Sequence, residues 1–239
     1  MVRNLDMSDF NIRNDMTVEL LGWSGSDHLV AQAARVSTGS SNEVDPEKDA
    51  GLINYLMRER HGSPFEHNLF NFYIEAPIFV FREFMRHRIA SYNEESGRYK
   101  ELYPDFYVPG ADRKLVQVGK PGAYTFEEGT AYMHTRLREE MLSQAVSSYT
   151  SYNKMLSLGV AREVARMVLP LNLYSSMYVS MNARALMNFL SLRTVKPDSK
   201  FPSYPQREIE MVAEQMEALW AEQMPITHAA FAANGWVAP

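Results

Sequence analysis

From Asn68 the chain reads NLFNFYIEAPIFVFREFMRHR, and the hydrophobic period changes partway through. Phe70, Phe72 and Ile74 recur at every second position, which predicts a strand, and Leu69 and Tyr73 make the other face apolar too, so this strand is expected to be covered on both sides. At Pro77 the pattern turns helical, and the helix is almost wholly apolar up to its charged end, Arg86-His87-Arg88. A strand and a helix that both require burial, joined without a linker, belong in the interior. The helix then delivers its cations to a cleft rather than to open surface. The residues that follow, SYNEESGRY, are expected as a polar loop.

The remaining elements can be placed around that junction. Residues 17–22 are expected as a strand, and 27–36 as a short helix with Asp27 as its cap; the Ser/Gly/Asn stretch 37–45 reads as loop. Pro46 opens a helix running to about Arg60, broken by Gly62, Ser63 and Pro64. Residues 103–124, with scattered Pro and Gly, read as loop with one short strand. Thr125 and Glu128 fit a capping box for a long helix ending near Gly159, and a shorter helix, VAREVARMV, stops at Pro170. The period of 173–181 fits either element type; its Tyr and Val content favours a strand. Residues 182–193 should be helical on the stripe Ala185, Leu186, Phe189 and Leu190. Three prolines forbid regular structure in KPDSKFPSYP, and a final long helix buries Ile209, Val212, Met216, Leu219 and Trp220. These strands and helices are expected to form a single domain covering 1–239.

Composition narrows the functional classes. A 46% apolar content over 239 residues supports a sizeable core and excludes a disordered chain. The net charge of −5 gives no global attraction to nucleic acid or an anionic membrane, so an anion site must be a local concentration of Arg. No apolar run reaches membrane-spanning length and residues 1–15 lack the apolar stretch of a secretory signal, so a cytoplasmic location is expected. Cysteine is absent, which removes disulfides, thiolate metal sites and thiol nucleophiles together. His61 and His67 lack metal-ligand spacing, so no metal is expected. Neither GxGxxG, GxxxxGK[ST] nor GxSxG occurs.

Between Arg86 and Arg98 three guanidiniums, an imidazole and several amide and hydroxyl groups fall in one short stretch, RHRIASYNEESGR. Arg forks grip phosphate bidentately, so the stretch suits a nucleotide; cations offsetting a helix dipole are the bland alternative. Gly97 permits a tight bend that returns Arg98 toward the first pair. Arg166, Arg184 and Arg193 recur near the ends of apolar helices, where a guanidinium needs a carboxylate partner or a bound anion. For Arg166 a salt bridge with Glu163 competes with the ligand reading; for Arg193 no acid lies near in sequence before Asp198.

RHRIASYNEESGR resembles the signature of the flavin-dependent thymidylate synthases, and AARVS, HGSPFEH, EAPIFVFREFMRHR, REVARMVLPLNLY and NARALMNFLSLR resemble further blocks of that family, from about Ala33 to about Arg193. The resemblance implies a homotetramer with a mixed α+β fold and active sites shared between subunits. It implies methylation of dUMP to dTMP with FAD as cofactor and with NADPH and 5,10-methylenetetrahydrofolate as co-substrates. By it, Ser37, Ser63, Arg86, His87, Arg88, Glu94, Asn182, Ala183, Arg184 and Asn188 hold FAD. Glu83, Arg86, Glu94, Glu95, Ser96, Gly97, Arg98, Arg166 and Arg193 surround dUMP. Arg193 polarises the uracil and His61 lies near the flavin. Glu83 stands where relatives often carry Gln, and the loop after Arg193 departs from theirs. With no thiolate available, activation of the ring falls to a cation, and Arg193 is the expected one. A non-catalytic nucleotide-binding module and a nucleic-acid binder using Tyr92, Tyr99 and Tyr103 are the rival classes.

Overall fold

A computed structural model describes residues 7–39 and 43–239. Residues 40–42, inside the expected Ser/Gly/Asn loop, lie outside the described set. The chain runs β1 (Asn11–Arg13), β2 (Thr17–Ser24), α1 (Asp27–Arg35), α2 (Pro46–Arg58), β3 (Leu69–Pro77), α3 (Ile78–Phe84), β4 (Ser91–Glu94), β5 (Asp105–Tyr107), β6 (Val116–Lys120) and β7 (Ala123–Glu127). It continues through α4 (Ala131–Ser157), α5 (Arg162–Ala165), β8 (Tyr174–Asn182), α6 (Ala183–Arg193), α7 (Arg207–Gln223) and α8 (Pro225–Ala233). The fold is α+β, as the family resemblance implies. Two compact units divide it: one takes the described residues up to Asp15, Glu75–Arg82 and Glu94–Ser176, the other Met16–Ile74, Glu83–Asn93 and Met177–Pro239.

In the first unit β1 pairs in parallel with β5, Ile12 opposite Phe106, and β6 and β7 form an antiparallel hairpin. Its core gathers Phe10, Leu102, Phe106, Ala145, Tyr149, Tyr152, Ala165 and Leu173. Two tyrosines of α4 fix the Leu102 peptide: Tyr149 donates to its carbonyl at 2.8 Å and the Tyr152 oxygen accepts from its N–H at 3.2 Å. A buried peptide group left unpaired would cost roughly 1–3 kcal/mol, so these bonds hold the stretch after Gly97 in one place.

The second unit is built on the sheet order β2-β3-β8-β4, with α1, α2, α6, α7 and α8. Phe70, Phe72 and Ile74 are fully buried, as the period-two pattern requires. Asp27 does not cap its own helix. The Ser26 hydroxyl accepts from Leu29 N and caps α1, while the buried Asp27 carboxylate accepts from the N–H groups of Ile226 and Thr227 and from the Thr227 hydroxyl, at 3.0, 2.8 and 2.6 Å. Those N–H groups are orphan donors at the positive end of α8, so the carboxylate caps that helix from a distant part of the chain. Asp27→Ala should therefore lower the unfolding free energy by about 3 kcal/mol in denaturant titrations, and Asp27→Asn, which keeps one acceptor, by less. Equal stability of Asp27→Ala and native protein would remove this cap from the account.

Several expectations are corrected. The helix after Pro77 ends at Phe84, so His87 and Arg88 stand beyond it, and SYNE is the strand β4 rather than loop. Residues 103–124 hold β5, β6 and the start of β7. Thr125 lies inside β7; α4 begins at Ala131, where the Thr130 side chain accepts from Met133 N. The helix after Val160 is short, Arg162–Ala165, followed by a 3-10 turn at Arg166–Val168. The last helical stretch breaks between Gln223 and Pro225, because proline cannot supply the N–H that a continuous helix needs.

Candidate active site

The signature crosses from the second unit to the first between Asn93 and Glu94, and each part is described on its own unit. In the second unit, α3 and α6 meet through a stack of Phe84 on Phe189, ring centroids 4.6 Å apart, with both rings fully buried. His87 packs edge-on against Phe189 at 4.9 Å. The Tyr92 hydroxyl, on β4, lies 3.0 Å from the Phe84 carbonyl oxygen and 2.6 Å from that of His87, and so ties down the turn that carries the cations. Arg193, the last residue of α6, donates from Nη1 to Glu83 at 2.7 Å and from Nε to the His87 Nε2 at 3.1 Å. Burial, reinforced by the Arg193 charge, pushes the His87 pKa down to about 4. The imidazole is therefore neutral near pH 7, with an unprotonated Nε2 able to accept.

The structure thus supplies the acid that Arg193 lacks in its sequence neighbourhood. Glu83 is its partner, and a carboxylate so engaged is no longer a bare negative charge beside an anion site. Arg86 and Arg88 are exposed and make no ion pair among the described residues. Arg184 differs: it binds Glu66 at 2.6 Å and the Pro239 oxygen at 2.7 Å. A Cβ at Gly62 would fall 2.4 Å from the Arg184 guanidinium carbon, so glycine is what permits this close approach. Asn182 caps α6, its side-chain oxygen accepting from Ala185 N at 2.8 Å; Ala183 is buried beside it and Asn188 is exposed. Ser37 is exposed, its hydroxyl donating to the Ala34 carbonyl.

His61 and Ser63 are exposed at the end of α2. That end is a Schellman closure, with Arg60 N bonded to the Met57 carbonyl and His61 N to the Leu56 carbonyl. Arg60 occupies the left-handed position, φ 62°, that glycine usually fills. An arginine tolerates that conformation at a cost of about 1–2 kcal/mol, and the closure sets the direction from which His61 leaves the helix.

In the first unit, a pocket of about 240 Å³ is lined by Glu94, Glu95, Gly97, Glu163 and Arg166, with Leu102, Leu169, Leu173 and Tyr174 as an apolar wall. A Cβ on Gly97 would meet Leu102 at 2.8 Å and the Arg166 stem at 3.2 Å, so any other residue would displace both from the pocket. Burial raises the Glu94 pKa, opposed by its bond with Ser175 and the charge of Arg166. Glu95 is held by Lys100 at 2.9 Å and by the Ser176 hydroxyl at 3.2 Å. The Ser96 oxygen accepts from Arg98 N. Glu163 does not pair along its own helix: it binds Arg98 at 2.9 Å, and Arg162 lies 3.6 Å from Glu101. Arg166 is exposed and has no ion pair among the described residues. Among the described residues no cluster of potential metal ligands occurs and no helix is long and apolar enough to cross a membrane.

Fold and site define an α+β protein without cysteine whose arginines Arg86, Arg88, Arg166 and Arg193 stand on turns and at helix ends. Residues 19–226 match the family model described as thymidylate synthase complementing protein. The flavin-dependent thymidylate synthase of Streptomyces coelicolor is 58% identical, covering 98% of each chain, and that of Tropheryma whipplei is 60% identical, covering 95% of this chain and 96% of its own. The UMP/dUMP methylase PolB from Streptomyces cacaoi, solved with 5-Br UMP, superposes with a TM-score of 0.91 at 52% identity, over 96% of this chain and 99% of that one. The same methylase solved with 5-Br dUMP also superposes at 0.91. The chain belongs to the flavin-dependent thymidylate synthase family.

Proposed function

We propose that this protein converts dUMP to dTMP by reductive methylation, with 5,10-methylenetetrahydrofolate giving the carbon and NADPH the reducing equivalents through FAD. The balance is dUMP, methylenetetrahydrofolate, NADPH and a proton going to dTMP, tetrahydrofolate and NADP⁺. The observation that carries the reading is Arg193: a cation fixed on two edges, in a chain whose zero cysteines exclude thiolate addition to the pyrimidine. Its Nη2 edge makes no bond among the described residues and can stabilise negative charge on the uracil as C5 attacks the one-carbon unit.

Gly97, Ser96, Arg98 and Arg166 hold the nucleotide, Glu94 and Glu95 bounding the same pocket. The donor set in the second unit fits a flavin dinucleotide. Arg86 and Arg88 carry free charge for its diphosphate, and Ser37, Ser63, His87, Asn182, Ala183, Arg184 and Asn188 complete the cradle. When bound, the flavin supplies the hydride chemistry; the protein aligns and shields. The chain works as one catalytic unit within a cytoplasmic homotetramer that shares active sites between subunits.

An absorbance scan followed by a tritium-release assay on C5-tritiated dUMP tests this. The protein should carry or take up FAD, release tritium only with dUMP, folate and NADPH together, and bind dUMP more weakly by about 1.5–3 kcal/mol in Arg98→Ala. A colourless protein that rejects FAD and releases no tritium would overturn the reading; NADPH turnover separates an enzyme from a binding module. Assaying UMP beside dUMP measures how strictly the sugar is read.

A further inference from the structure

We propose that Glu83 and His87 are positioning residues for Arg193, binding its Nη1 and Nε edges so that only the Nη2 edge is left to meet the pyrimidine. The ligand's identity rests on the functional reading above; the brace itself rests on geometry. Glu83 and Arg193 are partly buried, with side chains 28% and 20% exposed, so their 2.7 Å contact is shielded from full solvent competition. The second support is a histidine that accepts rather than donates. Its Nε2 is 3.1 Å from the Arg193 Nε, and its ring is fixed by Phe189 behind it and by Tyr92 on its carbonyl. A planar guanidinium held along two edges has its remaining edge fixed in direction. Lysine has no such planar fork.

This assignment gives Glu83 a task other than touching nucleotide. A carboxylate near a phosphate site repels the ligand unless its charge is engaged, and Arg193 engages it.

The test pairs steady-state kinetics with NMR of protein labelled with ¹⁵N-arginine. In native protein the Arg193 Nε–H should give a slowly exchanging resonance, identified by its absence in Arg193→Lys. Glu83→Ala, which leaves the guanidinium held by His87 alone, should speed the exchange of that proton and lower kcat about 10- to 100-fold, the scale of a misplaced catalytic group, with KM for dUMP near native. Glu83→Gln, which keeps an acceptor, should retain the resonance and more turnover than Glu83→Ala. His87→Phe, which keeps the ring packing, should lose the resonance. Native kcat with an intact Arg193 resonance in Glu83→Ala, or a change confined to the dUMP KM, would overturn the proposal. The NMR arm needs no substrate. A native protein without dUMP-dependent turnover would therefore sink the functional reading while the resonance still decides the brace.

Discussion

Arg193→Ala should lower dUMP-dependent tritium release roughly 10²–10³-fold, the usual effect of deleting one preorganised charge that meets a developing anion. The loss should fall on kcat, because an interaction made only as charge builds on the ring contributes little to ground-state binding. Arg193→Lys should recover little of it, since an ammonium cannot span Glu83 and His87 and also present a third edge. The alanine variant leaves Glu83 partly buried without its cation, so some loss of stability is expected alongside. Glu83→Gln combined with Arg193→Ala removes that stranded charge. If the double variant regains stability and stays inactive, catalysis and folding are separated. Turnover of Arg193→Ala near the native value would take Arg193 out of the mechanism.

The candidate site was legible in sequence wherever chemistry is written in consecutive residues. Arg86, His87, Arg88, Ser96, Gly97 and Arg98 stand in one short run. The apolar helix before them pointed to a cleft, whereas Arg86 and Arg88 are exposed and make no ion pair among the described residues. What stayed hidden was pairing across distance. Glu83 lies 110 positions from Arg193, and Arg98 lies 65 from Glu163; no periodicity connects such residues, and local reasoning weighed only partners on the same helix for Glu163. Asp27 was read as a local cap for the same reason, whereas its partners are 199 and 200 positions away. The β6–β7 hairpin was missed for a different reason. Its alternation, Val116, Val118, then Tyr124, Phe126, is short, and Pro121-Gly122 was read as loop punctuation when it marked the reversal, with Gly119 and Gly122 both at positive φ. Thr125 then mimicked a helix cap while sitting in a strand. A capping box is a sound signal only when the residue before it is free to leave extended structure.

Phe189→Ala should cost about 3–5 kcal/mol of stability, the largest loss expected of any single change considered, because it opens a cavity under the Phe84 stack in a fully buried site. The same ring is the wall against which His87 rests, so the damage should reach the chemistry. In native protein the folded His87 pKa of about 4 lies below its ordinary 6.5. Between those values the unfolded chain binds the proton more readily than the folded one, so this group's contribution to stability is present above about 6.5 and is lost as pH falls toward 4. Removing Phe189 admits water to the imidazole, relieves the burial that depresses its pKa, and should flatten that slope. Denaturant unfolding of native protein and Phe189→Ala across this window measures both effects, with Phe189→Leu as the variant that refills most of the cavity. An unchanged slope in a destabilised Phe189→Ala would mean that the aromatic wall packs the core without setting the protonation of His87. The neutral acceptor on which Arg193 depends would then owe its state to the neighbouring guanidinium alone.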